Sequence, residues 1–409
     1  MGSISEATES LPATKIEVVA NGISLVDPLS RKGTGPGIIL LVSESGINDK
    51  SQLRIENGIP SATMKWAEEG YCVVEVSPEA WNASVDPLAA ATNALATADK
   101  CQPKETIGIV CYDYEIWNRF APSASKIPSL AGIILYTTSS DLASLSPSPI
   151  PIAIHAAGAP VSPATERSKR EKVYSYATTS SHLFATPFHP KFSYADEAVS
   201  HSRSLTFLKK VMDGPYFDLE AIWDEHTMFE FAERSVEKTM ATMVQEPYVN
   251  HVPTLTGGIG RENLTAFYRD HFIFSNPADT ELELISRTVG IDRVVDEFIF
   301  KFTHDTVVDW LFPGIPPTGH KVAIPMMAVV NIRGDRLYHE HISWDQATAL
   351  AQLGLLPTHP SYSQAVAKNS VNGTNGTTNG HANLKLPIAG VATAEKMRDK
   401  NSVPSNLMF

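Results

Sequence analysis

Short continuous apolar runs alternate with helical stretches over the first half of the chain. Residues 37–42 (Gly-Ile-Ile-Leu-Leu-Val), 71–76 (Tyr-Cys-Val-Val-Glu-Val), 106–111 (Thr-Ile-Gly-Ile-Val-Cys), 132–136 and 152–155 have the length and make-up of strands buried on both faces. Between them, 61–69 and the Ala-rich 89–99 read as helices, and 194–212 reads as an amphipathic closing helix. This alternation predicts parallel βα units and a doubly wound sheet. Gly214-Pro215 breaks the chain, and the pattern then changes. Residues 218–244 read as one long helix with Ile222, Met228, Phe229, Phe231, Val236 and Met240 on a common face. A second helix is expected over 260–271. Four strand-like runs follow at 281–289, 293–304, 321–332 and 336–344, with a tight turn at Gly334-Asp335, and a short helix at 346–353. Helices followed by an antiparallel sheet predict an α+β unit, unlike the first half. Residues 1–20 read as a flexible leader. From about 359 the composition shifts, with 369–383 made of Asn, Gly, Thr and Ser without apolar periodicity, and 359–409 reads as a mostly disordered tail. The expected domains are therefore 21–214 and 215–358.

Charge and cysteine content narrow the partners. The 45 acidic residues outnumber the 33 basic ones, giving a net charge of −12, and there is no basic stripe to follow a phosphate backbone. No nucleic acid is expected as a partner. Three cysteines without regular spacing exclude a disulfide framework and a structural zinc site and fit a reducing compartment. The first residues lack a basic segment followed by an apolar one, and no apolar run approaches the ~20 residues of a membrane helix. A cytoplasmic protein with no membrane partner is the expectation.

Candidate chemistry concentrates in the late strands. Side chains alternate between the faces of a strand, so Asp296, Phe298, Phe300, Phe302 and His304 share one face of the run 293–304, an aromatic wall with an acid at one end and an imidazole at the other. In the last run, His339, His341, Ser343 and Asp345 share one face, and Tyr338, Glu340, Ile342 and Trp344 share the other. Ionisable groups at every second position do not make an ordinary core face, because burying them unpaired is costly. That face is either solvent or the lining of a polar pocket. Glu297 and Glu340 are expected to pair with Lys301 or Arg336 on a solvated outer face. His339-x-His341 with Glu340 and Asp345 offers metal-ligand types, but the acids stand at no metal-site spacing. No glycine-rich nucleotide loop follows a strand. Neither cofactor nor metal is expected.

Two family resemblances add to these readings. In the first half, Ser43-Glu-Ser-Gly-Ile-Asn48, Ala67-Glu-Glu-Gly-Tyr-Cys-Val-Val-Glu-Val76 and Ser181-His-Leu-Phe184 resemble the dienelactone hydrolases, a family of α/β-hydrolases. The resemblance implies that Glu44 helps hold a nucleophile and that His182 is the catalytic histidine. The nucleophile turn departs from the family: it reads Cys111-Tyr-Asp-Tyr-Glu115, so Asp113 stands where the nucleophilic cysteine belongs, Cys111 lies two places early, and the flanking small residues are gone. Ala159-Pro160-Val161 replaces the acidic member expected after Gly158. A retained fold with degenerate chemistry, a carboxylate nucleophile at Asp113 with His182 as base, and a binding pocket are the three readings open there.

In the second half, Tyr248-Val-Asn-His251, Val295-Asp-Glu-Phe-Ile-Phe-Lys-Phe-Thr-His304, Tyr338-His-Glu-His-Ile-Ser-Trp-Asp-Gln346 and Leu353-Gly-Leu-Leu356 resemble SnoaL-like proteins, which share the cone fold of nuclear transport factor and ketosteroid isomerase. The combination is similar to fungal proteins named carboxymethylenebutenolidase-like. The resemblance implies Asp345 as a general base and His341, His304 or His251 as hydrogen-bond donors to a developing enolate, with Asp296 at the same site. Phe298, Phe300, Phe302, Trp310 and Trp344 are expected to line the substrate pocket. It further implies cofactor-independent cyclisation, isomerisation, dehydration or hydrolysis of a lipophilic polyketide- or terpenoid-type molecule. Pairing into a homodimer through the sheet is expected. An ester or lactone hydrolase working in the first half, and a non-catalytic small-molecule binder, are the alternatives.

Overall fold

A computed structural model describes residues 11, 14–43, 52–82, 86–160, 170–357, 361–363, 381–383 and 388–405. The first half builds one sheet from β1 (Ile16–Ala20), β2 (Ile23–Val26), β3 (Gly37–Leu41), β6 (Cys72–Val76), β7 (Ile107–Cys111), β8 (Leu130–Thr138), β9 (Ile152–Ala157) and β10 (Glu171–Tyr176), while β4 (Ile55–Glu56) and β5 (Ile59–Pro60) form a separate small hairpin. The strand order is β1-β2-β6-β3-β7-β8-β9-β10. All pairings from β6 to β10 are parallel, and β1 and β2 join antiparallel at one edge. Helices cover both faces, as continuous apolar strands require. Ile38, Leu40, Val73, Val110 and Ile134 pack toward α1 (Ala62–Glu68) and α4 (Tyr194–Met212). Their neighbours Ile39, Leu41, Val74, Ile109 and Ile133 pack toward α2 (Pro87–Thr97) and α3 (Tyr114–Ala124). The expected doubly wound sheet is present. The leader expectation is corrected at its end: Ile16–Ala20 is β1, paired with β2.

The long helix expected over 218–244 is broken. It consists of α5 (Leu219–Thr227), a π-turn at Met228–Ala232 and α6 (Val236–Ala241), and by Met243 the chain is already in β11 (Met243–His251). Arg234, at φ +53°, reverses the chain, and Ser235 caps α6 by accepting a hydrogen bond from Lys238 N. Met228, assigned to the buried face, is exposed. His251 lies at the end of the strand β11. The strand pairs with β12 (Thr256–Ile259) on one side and runs parallel to the last strand on the other.

Beyond β12 come α7 (Arg261–Phe267), a second π-turn at Tyr268–Phe272, then β13 (Glu281–Val289), β14 (Arg293–Thr303), β15 (Lys321–Arg333), β16 (Arg336–Trp344) and α8 (Gln346–Gln352). The six strands are ordered β12-β11-β16-β15-β14-β13. One face carries Phe298, Phe300, Ile324, Met326, Ala328, Val330 and Ile342 into a single core with Trp223, Leu264, Phe272 and Trp310. The tail contains a strand pair, β17 (Ser361–Ser363) with β18 (His381–Asn383), and α9 (Ala392–Arg398), whose Arg398 bonds Glu283 at 2.7 Å. The expectation of disorder over 364–380 lies outside the described residues, and α9 corrects it near the end.

The β15–β16 hairpin inserts its tip into the first sheet's helical layer. Arg333 meets Glu68 at 2.8 Å, Arg336 donates to Leu29 O at 2.9 Å, and Asp335 accepts from Arg31 N at 2.9 Å. At Gly334, φ is +59° and a Cβ would lie 2.4 Å from Glu68 O, so the approach requires glycine. This junction holds the strand that carries Glu340.

Candidate active site

Leu219, Ile222, Trp223, His226 and Glu230 recur at helical spacing, so they form one stripe of α5 and its π-turn facing the sheet, and all are buried. The π-turns are the point of interest, because such insertions re-aim side chains and are frequent at functional sites. One holds Glu230 and the other holds Tyr268. Between these elements and β11, β13, β14, β15 and β16 lies a cavity of about 220 Å³. Its walls include Phe231, Phe272, Phe298, Phe300, Trp310 and Ile342, and its polar lining includes Glu230, Tyr268, Glu340, His251 and Asp296.

The polar groups gather around His226. Thr242 Oγ1 has Thr239 O at 2.7 Å to take its own proton and His226 Nδ1 at 2.6 Å, so it is placed to accept from Nδ1–H. Nε2 therefore faces two carboxylates, with Glu230 Oε1 and Glu340 Oε1 each 3.1 Å away. Tyr268 donates to Glu340 Oε1 at 3.3 Å and stands 3.4 Å from Nε2. None of these side chains is more than 5% exposed. Burial alone would push the imidazole down, but the charges of Glu230 and Glu340 hold it at about 10. Burial pushes the Glu230 carboxyl above its ordinary range despite His226. Burial, then the charges of Glu340 and Glu230, push the Tyr268 phenol well up. Proton donors and acceptors in contact inside an apolar enclosure can move protons on a bound molecule.

At the side of the cavity, Asp296 has both oxygens occupied. Arg287 Nε and Nη2 donate to Oδ1 and Oδ2, each at 2.8 Å, and Trp223 Nε1 donates to Oδ2 at 2.8 Å. Arg287 also bridges to Asp224 at 2.8 Å. Asp296, expected at the catalytic site, lines the cavity as a bidentate ion-pair partner of Arg287. His251 lines it too. Its Nδ1 lies 3.2 Å from the Thr256 carbonyl, which only accepts, so Nε2 carries the lone pair. Burial lowers this imidazole to about 4. The expectation that His251 donates to an enolate is corrected: it is placed to accept.

Three other expected site residues lie elsewhere. Asp345 is the exposed N-cap of α8, accepting from Ala347 N at 3.1 Å and Thr348 N at 3.2 Å, outside the cavity. Its carboxylate satisfies helix-end donors. His341 sits on the opposite face of β16, its ring 4.6 Å from that of His339. His304 lies past the end of β14, bonded to Thr318 Oγ1 at 3.1 Å and packed on Phe312. In β14 the cavity faces the expected set, whereas in β16 it faces the other one, Glu340 and Ile342, and a bulge moves Tyr338 to the side of His339. Glu340, expected on a solvated face with Arg336, points into the cavity, while Lys301 pairs with Glu281 and Glu283. Of the expected pocket aromatics, Phe298, Phe300 and Trp310 line the cavity; Phe302 and Trp344 belong to the surrounding core. Sequence reasoning missed His226, Glu230 and Tyr268. The spacing of 219, 222, 223, 226 and 230 was the available signal for the first two.

In the first half, Asp113 and His182 do come together. Asp113 Oδ2 is 3.5 Å from His182 Nε2, an ion-pair distance, while Oδ1 caps α3 by accepting from Glu115 N at 2.8 Å. Asp113 has ordinary extended backbone angles, φ −149° and ψ 130°, rather than those of a strained nucleophile turn. Cys111 is wholly buried in β7, and burial pushes its thiol up to about 12, which corrects its candidacy as a nucleophile. Glu44 lies outside the described residues.

No protein-family model matches this chain, and no curated protein matches it. Solved structures do. A hypothetical protein with a ketosteroid isomerase-like fold from Catenulispora acidiphila aligns over 33% of this chain and 93% of its own, at 14% identity and a TM-score of 0.27. An NTF2-like protein of unknown function from Burkholderia pseudomallei aligns over 33% and 95%, at 15% identity and a TM-score of 0.26. SalBIII, described as an epoxide hydrolase/cyclase-like enzyme in pyran ring formation in the polyether salinomycin, aligns over 31% and 88%, at 12% identity and a TM-score of 0.24. No described helix is long and apolar enough to cross a membrane.

Proposed function

We propose that this chain is an acid–base enzyme acting on a lipophilic small molecule held in the aromatic cavity, by cyclisation, isomerisation, dehydration or hydrolysis of a polyketide- or terpenoid-type compound. One observation carries the reading: His226, Glu230, Tyr268 and Glu340 form a connected, buried group at the edge of an apolar cavity. Burying several ionisable side chains costs several kcal/mol that an apolar core of the same volume would not. The arrangement therefore works against stability and makes sense as chemistry.

In the proposed reaction, the phenylalanine and tryptophan walls exclude water and hold the apolar body of the substrate. Tyr268 Oη donates to a substrate oxygen on which negative charge develops. Glu340 and Glu230 take and return the proton. His251 Nε2 accepts from a substrate hydroxyl. The volume of about 220 Å³ is below the range of about 300–1,000 Å³ for drug-sized sites, which favours a compact one- or two-ring substrate.

A second reading rests on the approach of Asp113 and His182 to 3.5 Å, which supports a hydrolase in the first half. Turnover of a panel of lipophilic ketones, esters, lactones and epoxides, followed by mass spectrometry, separates the two. The cavity reading expects Glu340→Gln to abolish turnover and Asp113→Asn to leave it within twofold of wild type. The reverse pattern would move the chemistry to the first half.

A further inference from the structure

We propose that His226, Glu230 and Glu340 form a binding site for one divalent transition-metal ion of the Mn²⁺, Fe²⁺ or Zn²⁺ class. The inference goes beyond the reading above, which requires no metal, and is argued from the donor geometry of the same buried group.

The first observation is donor type and spacing. One imidazole nitrogen and two carboxylates are the ligands these borderline ions take, whereas thiolate sites select softer ions and all-oxygen sites select Mg²⁺ or Ca²⁺. The three donor atoms lie within 4.8 Å of one another, and Nε2 stands 3.1 Å from an oxygen of each glutamate. Donors at about 2.0–2.2 Å from an ion, at octahedral or tetrahedral angles, are separated by roughly 3.0–3.5 Å. The His226–Glu230 and His226–Glu340 separations already match.

The second is orientation. Because the Thr242 hydroxyl has the Thr239 carbonyl to take its own proton, it is placed to accept from Nδ1–H of His226 and aims Nε2 between the two carboxylates. Metal-ligating histidines are held in this way, by an acceptor on the other ring nitrogen. A neutral imidazole so fixed would present a lone pair to two anionic oxygens. That contact is repulsive unless something positive, a proton or a cation, lies between them.

The third is compensation and access. Two carboxylates, no more than 5% exposed, carry charge that a dication would neutralise. Three protein donors leave coordination positions for water or a ligand oxygen, and Glu230 and Glu340 both line the cavity where such a molecule would sit. The alternative ligand set weighed from sequence, His339 and His341, lies across the sheet and does not converge with Glu340.

The test begins with the full chain stripped by dipicolinate and dialysed into metal-free buffer. Zn²⁺ binding is then followed by isothermal titration and by bound-metal analysis. One ion per chain with Kd in the micromolar range or tighter is expected. Affinity should fall at least 100-fold in Glu340→Gln and 10–100-fold in Thr242→Val, and stay within threefold in His341→Gln. Wild-type crystals grown with Zn²⁺, measured at the zinc edge, need no variant: the expected anomalous peak lies between His226, Glu230 and Glu340. A peak only at other residues, Kd weaker than 1 mM on the order expected for unspecific sites, or unchanged binding in a folded Glu340→Gln would overturn the proposal. Turnover retained by the stripped protein would leave the acid–base reading standing, so the two fail separately.

Discussion

Thr242→Val removes one hydroxyl and almost no volume, which makes it a sharp probe of the buried polar group. In the native protein Thr242 Oγ1 accepts from His226 Nδ1 at 2.6 Å and donates to Thr239 O at 2.7 Å. The Thr239 carbonyl keeps a second partner, Thr242 N at 3.2 Å, so its loss is small. Nδ1–H has no such reserve. The imidazole is wholly buried, and a buried donor left unsatisfied costs about 1–3 kcal/mol, at the upper end when the ring is charged. A loss near 2 kcal/mol is therefore expected, with no cavity contribution because valine fills the same space. Thr242→Ser keeps the hydroxyl and should lose less than about 1 kcal/mol, reflecting one missing methyl. Urea unfolding followed by circular dichroism and tryptophan fluorescence reads the difference. Turnover should fall at least tenfold in Thr242→Val, since the imidazole that positions Glu230 and Glu340 is no longer held, and persist in Thr242→Ser. If Thr242→Val matches wild type within 0.5 kcal/mol on the order of measurement error, the hydrogen-bond assignment, and with it the orientation of His226, is wrong.

Other outcomes follow from the same structure. His155 accepts from Tyr176 Oη at 2.8 Å and meets Ser204 Oγ at 2.9 Å, and burial pushes its imidazole down to about 3. A base depressed in the folded state contributes stability that is present above its unfolded pKa and lost as pH falls toward the folded one. The stability gap between wild type and His155→Gln should thus shrink by about 1.4 kcal/mol per pH unit between pH 6 and 4; a constant gap in urea melts would refute this. Gly334→Ala, with its left-handed φ and no room beside Glu68 O, should lose at least about 1–2 kcal/mol and loosen the junction, read as faster amide exchange along β16. Met327 is half exposed in the middle of the outer sheet face. If that face pairs two copies, Met327→Glu converts a dimer to a monomer by light scattering, and a wild-type monomer at micromolar concentration would exclude the pairing.

Much of the scaffold was legible because its physics is local. Ile38 to Leu41 and Val73 to Val76 are apolar without interruption since helices cover both faces of their sheet. The alternation in β14 likewise gave two correct sets, and in β16 it held from His339 onward, a bulge displacing Tyr338. What alternation does not carry is which set faces inward. Three ionisable residues at 339, 341 and 345 drew attention to one face of β16, and a single glutamate at 340 proved to be the group in the cavity. Apolar periodicity alone carries the helix over 218–244 past the reversal at Arg234, because it registers neither a π-turn nor a polar residue on the buried stripe. His226 and Glu230 share the stripe of Leu219, Ile222 and Trp223, and the π-turn that turns Glu230 inward has no sequence signature that periodicity detects. Asp345 drew its role from resemblance alone. Its position just before a helix is equally the signature of an N-cap, and that is where the chain places it.

Whether the aromatic cavity holds the substrate is read from a crystal structure of the inactive Glu340→Gln chain with a compound the panel shows to be turned over. The ligand is expected in the aromatic cavity, its ring against Phe300 and Trp310 and an oxygen within hydrogen-bonding distance of Tyr268 Oη. A ligand seated at Asp113 and His182, or on the outer face beside His341 and Asp345, with the cavity filled by side chains, would contradict the cavity reading.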